Sequence, residues 1–312
     1  MSLTIDNAFV TKFQDRFHVV AQQRKSRLEQ FAKKRLTAVV GESFTIDLLG
    51  QSNATPNRPR HSDLQYANLD NTRRIALMQD LEPAELIDAM DKMKMLIDPT
   101  NQYTEALLAD CNRFKDKTII NAALGNVITQ TANNTTGSSA LPASQTIAAA
   151  ATGLTVAKLR AAKILLDEAE MDDSDYFANM GQHEGKQEPY GNLNSPSYVI
   201  VCTSQQIDNL LGDADVQSID QNSVKALVAG AVNTFMGFLF VRVPSAFLPI
   251  SGTSRSVLAY APRAIEYGIG KEPSGLVERL PQKNAWQVMT SISVGAGRAE
   301  DAGVVEILCT EV

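Results

Sequence analysis

The residue types able to do chemistry are scattered along this chain rather than gathered. Residues 181–186 read GQHEGK, one residue short of the phosphate-cradling pattern GxxxxGK[ST], and Gln187 stands where a metal-binding hydroxyl is needed. Gly268, Ile269 and Gly270 begin a dinucleotide-binding turn but lack its third glycine and its following helix. His18, His61 and His183 each lack a second ligand at helical spacing, which argues against zinc. Asp172, Asp173 and Asp175 crowd together without the glycine and closing glutamate of a calcium loop, so they read as a solvated acidic turn. Cys202 ends the apolar run SYVIVC with no histidine near it, and reads as packing rather than a nucleophile. The nucleophile elbow GxSxG is missing. These patterns predict no catalytic residue, no metal site and no cofactor.

With no reaction centre to position, the elements themselves carry the information. A hydrophobic content of 44% and a charged content of 21% over 312 residues fit a globular chain of about two domains. No apolar run of about 18 residues exists to cross a membrane, and the first ten residues lack the basic patch and apolar core of a secretory signal. Cys111, Cys202 and Cys309 are far apart and odd in number, and read as buried thiols in a reducing compartment. The net charge of −6 is uneven: residues 1–40 carry +5 and the remainder −11. That basic stretch also holds Phe9, Phe13 and Phe17 at steps of four, with Val20, Leu28 and Phe31. An arm so rich in aromatics suits docking on protein better than a free nucleic-acid tail. It reads as a helix over 8–34 that straps a neighbouring subunit, with Phe9, Phe13 and Phe17 as anchors.

Beyond the arm, 37–49 and 72–78 read as strands joined by some twenty polar residues, a protruding hairpin whose long loop implies work outside its own domain. Residues 82–97 suggest a short helix with Leu86, Met90 and Met93 on one side, and Met90, Met93 and Met95 read as plain packing. The longest element is 98–125. Asp98 and Pro99 signal its start, Gly125 its stop in a left-handed turn, and Tyr103, Leu107, Cys111 and Phe114 share one face. Such a rod is roughly 39 Å long. Residues 126–152 read as loops or weak strands, and 155–171 as a helix with Leu159, Ala162, Leu165 and Leu166 inward and Lys158, Arg160 and Lys163 outward. A polar loop at 172–191 precedes a buried strand at 197–202, a helix capped by Thr203 and stopped by Gly212, and another helix at 222–234. The end is strand-rich: 237–243, 256–261, and 285–294, the last pairing with 303–308 across the turn GAGRAEDA.

The order of these parts resembles the major capsid proteins of tailed phages, the Hong Kong ninety-seven type of fold. The stretches RFKDKTIINAALG (113–125), SYVIVCTSQQIDNLL (197–211), MGFLFVRVPSAFLP (236–249), APRAIEYGIG (261–270) and WQVMTSISVGAGRAEDAGVVEI (286–307) carry the likeness. The resemblance implies an α+β fold with an N-terminal arm at 1–40, an extended loop at 41–78 and a peripheral domain at 79–154 around a spine helix at 98–125. An axial domain at 155–260 and C-terminal strands at 261–312 returning to the peripheral domain complete it. It implies hexamers and pentamers of this chain, assembled in the bacterial cytoplasm into a virion shell around double-stranded DNA that is not read by sequence. The implied partners are a portal protein at one vertex, a separate scaffolding protein and a decoration protein, with no membrane. The strand-like part begins by Thr37, which leaves no room ahead of it for a built-in scaffolding region.

Two other readings compete: an encapsulin-type nanocompartment, which shares the fold but is shorter in the arm, and a soluble α/β enzyme, against which the scattered chemistry counts. Some capsid proteins of this family join a lysine of the extended loop to a neighbour's asparagine. Residues 36–91 contain no lysine. The loop's cations include Arg58 and Arg60, whose guanidinium groups stay protonated and instead suit charge-assisted bonds to the next subunit's carboxylates.

Overall fold

The computed structural model describes residues 22–35, 38–50, 69, 71–88, 100–130, 136–171, 197–212 and 234–311. The expected rod is a single 25-residue helix, α1 (Thr100–Leu124), about 38 Å long at 1.5 Å per residue. Its stop is at Gly125, by a different route from the one expected. Gly125 is not in the left-handed region; its amide donates to the Asn121 carbonyl at 2.8 Å, and a Cβ there would lie 2.5 Å from that same oxygen. Glycine is required for close approach rather than for a turn. The single apolar face also needs correction. Cys111 is buried, but Tyr103 is exposed, while Lys115 and Asp116, off that face, are buried, as are Thr118, Ile119 and Ile120.

The strands in chain order are β1 (Lys33–Lys34), β2 (Ser43–Leu49), β3 (Asn71–Leu81), β4 (Ala84–Asp88), β5 (Val127–Gln130), β6 (Thr136–Ser139), β7 (Thr146–Ile147), β8 (Tyr198–Cys202), β9 (Thr234–Phe235), β10 (Phe238–Arg242), β11 (Ile250–Ser251), β12 (Ser254–Tyr260), β13 (Ile265–Leu280), β14 (Ala285–Arg298) and β15 (Val304–Thr310). Two further helices are α2 (Val156–Glu168) and α3 (Ser204–Leu211). One sheet runs β1-β13-β14-β3-β5-β6, with β2 on β3 and β4 on β14; the other runs β7-β15-β12-β8-β10-β9, with β11 on β12. The chain forms two units. The smaller comprises Met1–Lys25, Asp80–Arg113 and Glu272–Ile292; the larger comprises Ser26–Gln79, Phe114–Lys271 and Ser293–Val312.

The core of the larger unit follows from apolar runs. All five residues of β8 are buried, β10 lies parallel to it with Phe238 opposite Tyr198, and β12 pairs antiparallel with both β8 and β15. A run buried on both faces cannot alternate, which is why YVIVC is continuously apolar. Leu159, Ala162 and Leu166 of α2 are buried, and α3 begins with the expected cap, Thr203 and Gln206 bonding reciprocally. The hairpin base is also as expected: β2 and β3 are antiparallel, with Ser43 opposite Leu77 and Leu49 opposite Asn71.

Several expectations are corrected. The helix read over 82–97 is a strand at 84–88: Ile87 is the buried residue and β14 supplies the partner, Ala285 opposite Asp88. Long-range pairing overrode a spacing that suited either form. Residues 22–34 are not α-helical; they hold a short 3₁₀ turn at Glu29–Phe31 and then β1. Residues 295–298, GAGR, are not a turn but the end of β14, and β15 leaves for the other sheet to pair with β12 and β7. The glycines make this continuation fit, because a Cβ on Gly295 would lie 2.8 Å from the Leu77 carbonyl and one on Gly297 2.8 Å from the Ala76 Cβ. Lys158, read as outward, is buried.

Candidate assembly site

Among the described residues, two polar clusters are built on buried charges: one where residues 26–35 meet α1, here called the arm root, and one at the base of the β2–β3 hairpin. The arm root is built on Asp116. Its side chain is 0% exposed. It accepts the Ser26 hydroxyl at 2.6 Å and the backbone amides of Arg27 and Leu28 at 3.1 Å. The Ser26 oxygen in turn accepts the Glu29 amide at 3.1 Å, closing the turn at Glu29–Phe31. One carboxylate thus holds the two backbone amides that lead into a turn from another part of the chain. Beside it, the buried Lys115 ammonium meets Glu29 at 2.9 Å, and Lys34 approaches the same carboxylate at 3.7 Å. Leu28, Phe31 and Ala32 are buried as the apolar side of the strap. Lys33 pairs with Glu266 at 3.0 Å, and β1 lies parallel to β13 with Lys33 opposite Glu266. The amides of Arg35 and Val39 then donate to the Tyr267 and Ile269 carbonyls. Residues 26–35 and 38–39 are therefore sewn to the larger unit of their own chain. In the smaller unit, Asn112 donates to the Arg24 carbonyl at 2.9 Å and Arg113 to the Gln22 side chain at 2.6 Å.

The hairpin base is built on Arg298, Asp301 and Arg74. Arg298 is 0% exposed. Its guanidinium donates to Asp301 at 2.6 Å, to the Ala123 and Gly125 carbonyls at 2.7 and 2.9 Å, and to the Ser139 carbonyl at 3.4 Å. A buried cation at the end of α1 satisfies carbonyls that the last turn leaves open and complements the negative helix end. Arg74, on β3, grips both Asp301 oxygens at 2.8 Å and donates to the Arg298 carbonyl at 3.1 Å. Burial by itself would raise the Asp301 carboxyl. Hydrogen bonds and charge from Arg74 and Arg298 outweigh it and hold the carboxyl below the ordinary carboxylate value. Around this cluster Phe44, Ile46, Ala76 and Ala299 form an apolar knot, and Arg35 stacks its guanidinium 5.0 Å from the Phe44 ring centre. The hairpin leaves the body locked in register, with a further exposed pair between Arg73 and Asp47 at 2.6 Å.

The anchors named from sequence, Phe9, Phe13 and Phe17 on the arm and Arg58 and Arg60 near the loop tip, lie outside the described residues. So do Asp98 and Pro99, Met90, Met93 and Met95, the three histidines, the acidic turn at 172–175, GQHEGK and all of the helix read at 222–234 except Thr234, which begins β9. Gly268 sits in β13, where a Cβ would press on Phe44 and Val39 at 2.9 Å, so the glycine pair there serves packing. Cys111, Cys202 and Cys309 are buried thiols. Burial pushes the Cys202 thiol up to about 12 and the Cys309 thiol up to about 11. Asp116, Lys115, Arg298 and Asp301 were not foreseen. The available signal was charge inside otherwise apolar or small-residue runs, FKDKTII for the first two and VGAGR for Arg298.

The model of the phage capsid protein family matches residues 5–311. No curated protein matches the chain. Among solved structures, the capsid of Helicobacter pylori bacteriophage KHP30 is similar with a TM-score of 0.70 at 12% identity, covering 99% of this chain and 98% of that one. The capsid of Ralstonia phage GP4 gives 0.68 at 12% identity, covering 97% and 95%. The capsid of cyanophage Pam1 gives 0.65 at 15% identity, covering 97% of both. At such identities the likeness is one of fold, and it extends from end to end of the chain. A family match over nearly every residue, together with a likeness of fold to tailed-phage capsid structures from end to end, means that this chain belongs to the phage capsid protein family and is a structural major capsid protein.

Proposed function

We propose that this chain builds an icosahedral shell of hexamers and pentamers around double-stranded phage DNA, holds it without covalent cross-links, and has no catalytic role. The observation that carries the reading is the pairing of two rigid anchors. Asp116 fixes the root of the arm and the Arg298–Asp301–Arg74 cluster fixes the base of the hairpin. Segments that start from fixed points can reach a neighbour without losing their aim, and closed symmetry repeats each such contact. In this reading 1–40 is the arm, 41–78 the extended loop, 79–154 the peripheral domain, 155–260 the axial domain and 261–312 the returning strands. Phe9, Phe13 and Phe17 seat on the next subunit, and Arg58 and Arg60 bond its carboxylates. Residues 36–91 hold no lysine that could form an isopeptide bond, which supports cohesion by area and charge. The body's −11 disfavours tight DNA binding by the wall, so DNA is enclosed rather than gripped. The partners are a portal protein at one vertex, a separate scaffolding protein and a decoration protein, with assembly in the host cytoplasm.

The test is a denaturing gel of boiled, purified particles. A single band near 33.9 kDa supports the reading, and a ladder that survives reductant overturns its non-covalent part. Deleting residues 1–20 is expected to weaken assembly while leaving a folded subunit; unchanged shell stability would remove the arm from the account.

A further inference from the structure

Lys158 is 6% exposed, although it lies in the first turn of α2, where the free amides make the helix end positive. Thr155, the cap, accepts the Lys158 amide at 3.4 Å. The side chain reaches into a ring of backbone carbonyls. Its Nζ lies 2.8 Å from the Ala149 oxygen and 2.9 Å from those of Thr152, Gly153 and Leu308. An ammonium has three N–H bonds, so four oxygens at one range cannot each receive a proton of its own. The contact is coordination by dipoles, the arrangement in which carbonyls replace the water around a monovalent ion.

The loop that supplies three of these oxygens is shaped for the purpose. Ala150 and Ala151 are both left-handed, with φ of 47° and 53°, a region that alanine avoids. Gly153 has no room for a side chain, because a Cβ there would overlap the Asn209 amide. The Thr152 carbonyl also accepts the Thr310 amide at 2.9 Å, tying the loop to β15, and β7 pairs with the same strand, Thr146 opposite Glu306. The fourth oxygen, from Leu308, belongs to β15 itself.

We propose that the carbonyls of Ala149, Thr152, Gly153 and Leu308 form a monovalent-cation site whose resident ion is the chain's own Lys158 ammonium. Lys158 is then the positioning residue for the edge of the second sheet where β7 meets β15. The class of ligand that replaces it is an alkali or ammonium ion of similar size.

The experiment is thermal unfolding of the full-length, unassembled subunit carrying Lys158→Ala, in potassium, ammonium, sodium and lithium chloride at one ionic strength. The expected result is a lowered Tm that potassium and ammonium raise saturably and lithium does not, while the wild type shows no such selectivity. Equal Tm in all four salts overturns the proposal. If the variant is unfolded in lithium, refolding yield becomes the readout: recovery in potassium or ammonium supports the site, and failure in all four salts overturns it. Lys158→Arg supplies a second arm. A planar guanidinium cannot sit at the centre of four converging oxygens, so a lowered Tm is expected despite the retained charge, and a wild-type Tm overturns the proposal.

Discussion

Replacing Asp116 by alanine isolates the arm's root. The carboxylate, itself 0% exposed, serves two backbone amides and one hydroxyl, with the Leu28 bond buried and the other two part-buried. Without it, either the strap stays and the amides of Arg27 and Leu28 are stranded, or the strap lifts and Leu28 and Phe31 lose their burial. A stranded buried amide costs about 1–3 kcal/mol, so the first route costs about that much for Leu28 and less again for the part-buried Arg27 amide. Exposing each of the two apolar side chains costs about 1.5–3 kcal/mol, so the second costs about 3–6 kcal/mol. The chain takes the cheaper route, and either is a large share of the roughly 5–15 kcal/mol that hold a domain folded. The assay is urea unfolding of the unassembled subunit together with amide hydrogen exchange. Asp116→Ala is expected to lower the midpoint and to remove protection at Arg27 and Leu28 before other amides respond. Asp116→Asn, which keeps one acceptor oxygen, is expected to fall between the variant and the wild type. An unchanged midpoint with unchanged exchange at those two amides would refute the anchor.

Three further outcomes are expected. Asp301 has a lowered value in the folded state, so as pH falls the unfolded chain takes the proton first. The stabilisation is full above about pH 5, declines as pH falls below the unfolded value of about 3.9, and is lost once pH passes the folded value. Asp301→Asn should flatten this acid limb in denaturant midpoints measured from pH 6 to 3, and an unaltered limb would contradict the cluster's role. Gly297→Ala places a methyl 2.8 Å from the Ala76 Cβ and 2.9 Å from the Ile46 Cδ1, so the hairpin base should lose about 1–3 kcal/mol by urea unfolding; an unchanged midpoint would show that the contact yields freely. Cys202 and Cys309, pushed up to about 12 and about 11 by burial, should resist a thiol reagent at pH 8 until the subunit unfolds, and fast native labelling would speak against their burial.

How much could be read beforehand depended on how local the cause was. The spine helix, the Thr203 cap and the two strands of the hairpin rest on short-range spacing and chemistry, and each has its expected counterpart in the structure. The strand at 84–88 did not, because Leu86 with Met90 and Met93 fits a helix as well, and only pairing with β14 decides for Ile87. Gly295 and Gly297 looked like turn residues, yet their cause is the hairpin pressing on β14, a contact more than 200 residues away in sequence. The larger loss was among charges. Lys158 read as solvated, Lys115 and Asp116 gave no sign of a buried role, and each is buried because backbone or side-chain groups elsewhere in the fold complete it. Sequence shows a charge in an apolar run but not the partner that makes its burial tolerable.

The central claim, that this capsid protein closes a shell through repeated contacts of one subunit, is tested most directly by electron cryomicroscopy of particles from cells making the chain with its assembly partners. The account predicts closed icosahedral shells in which this fold occupies six-fold and five-fold clusters. Only soluble monomers, dimers or open aggregates under every assembly condition would contradict it.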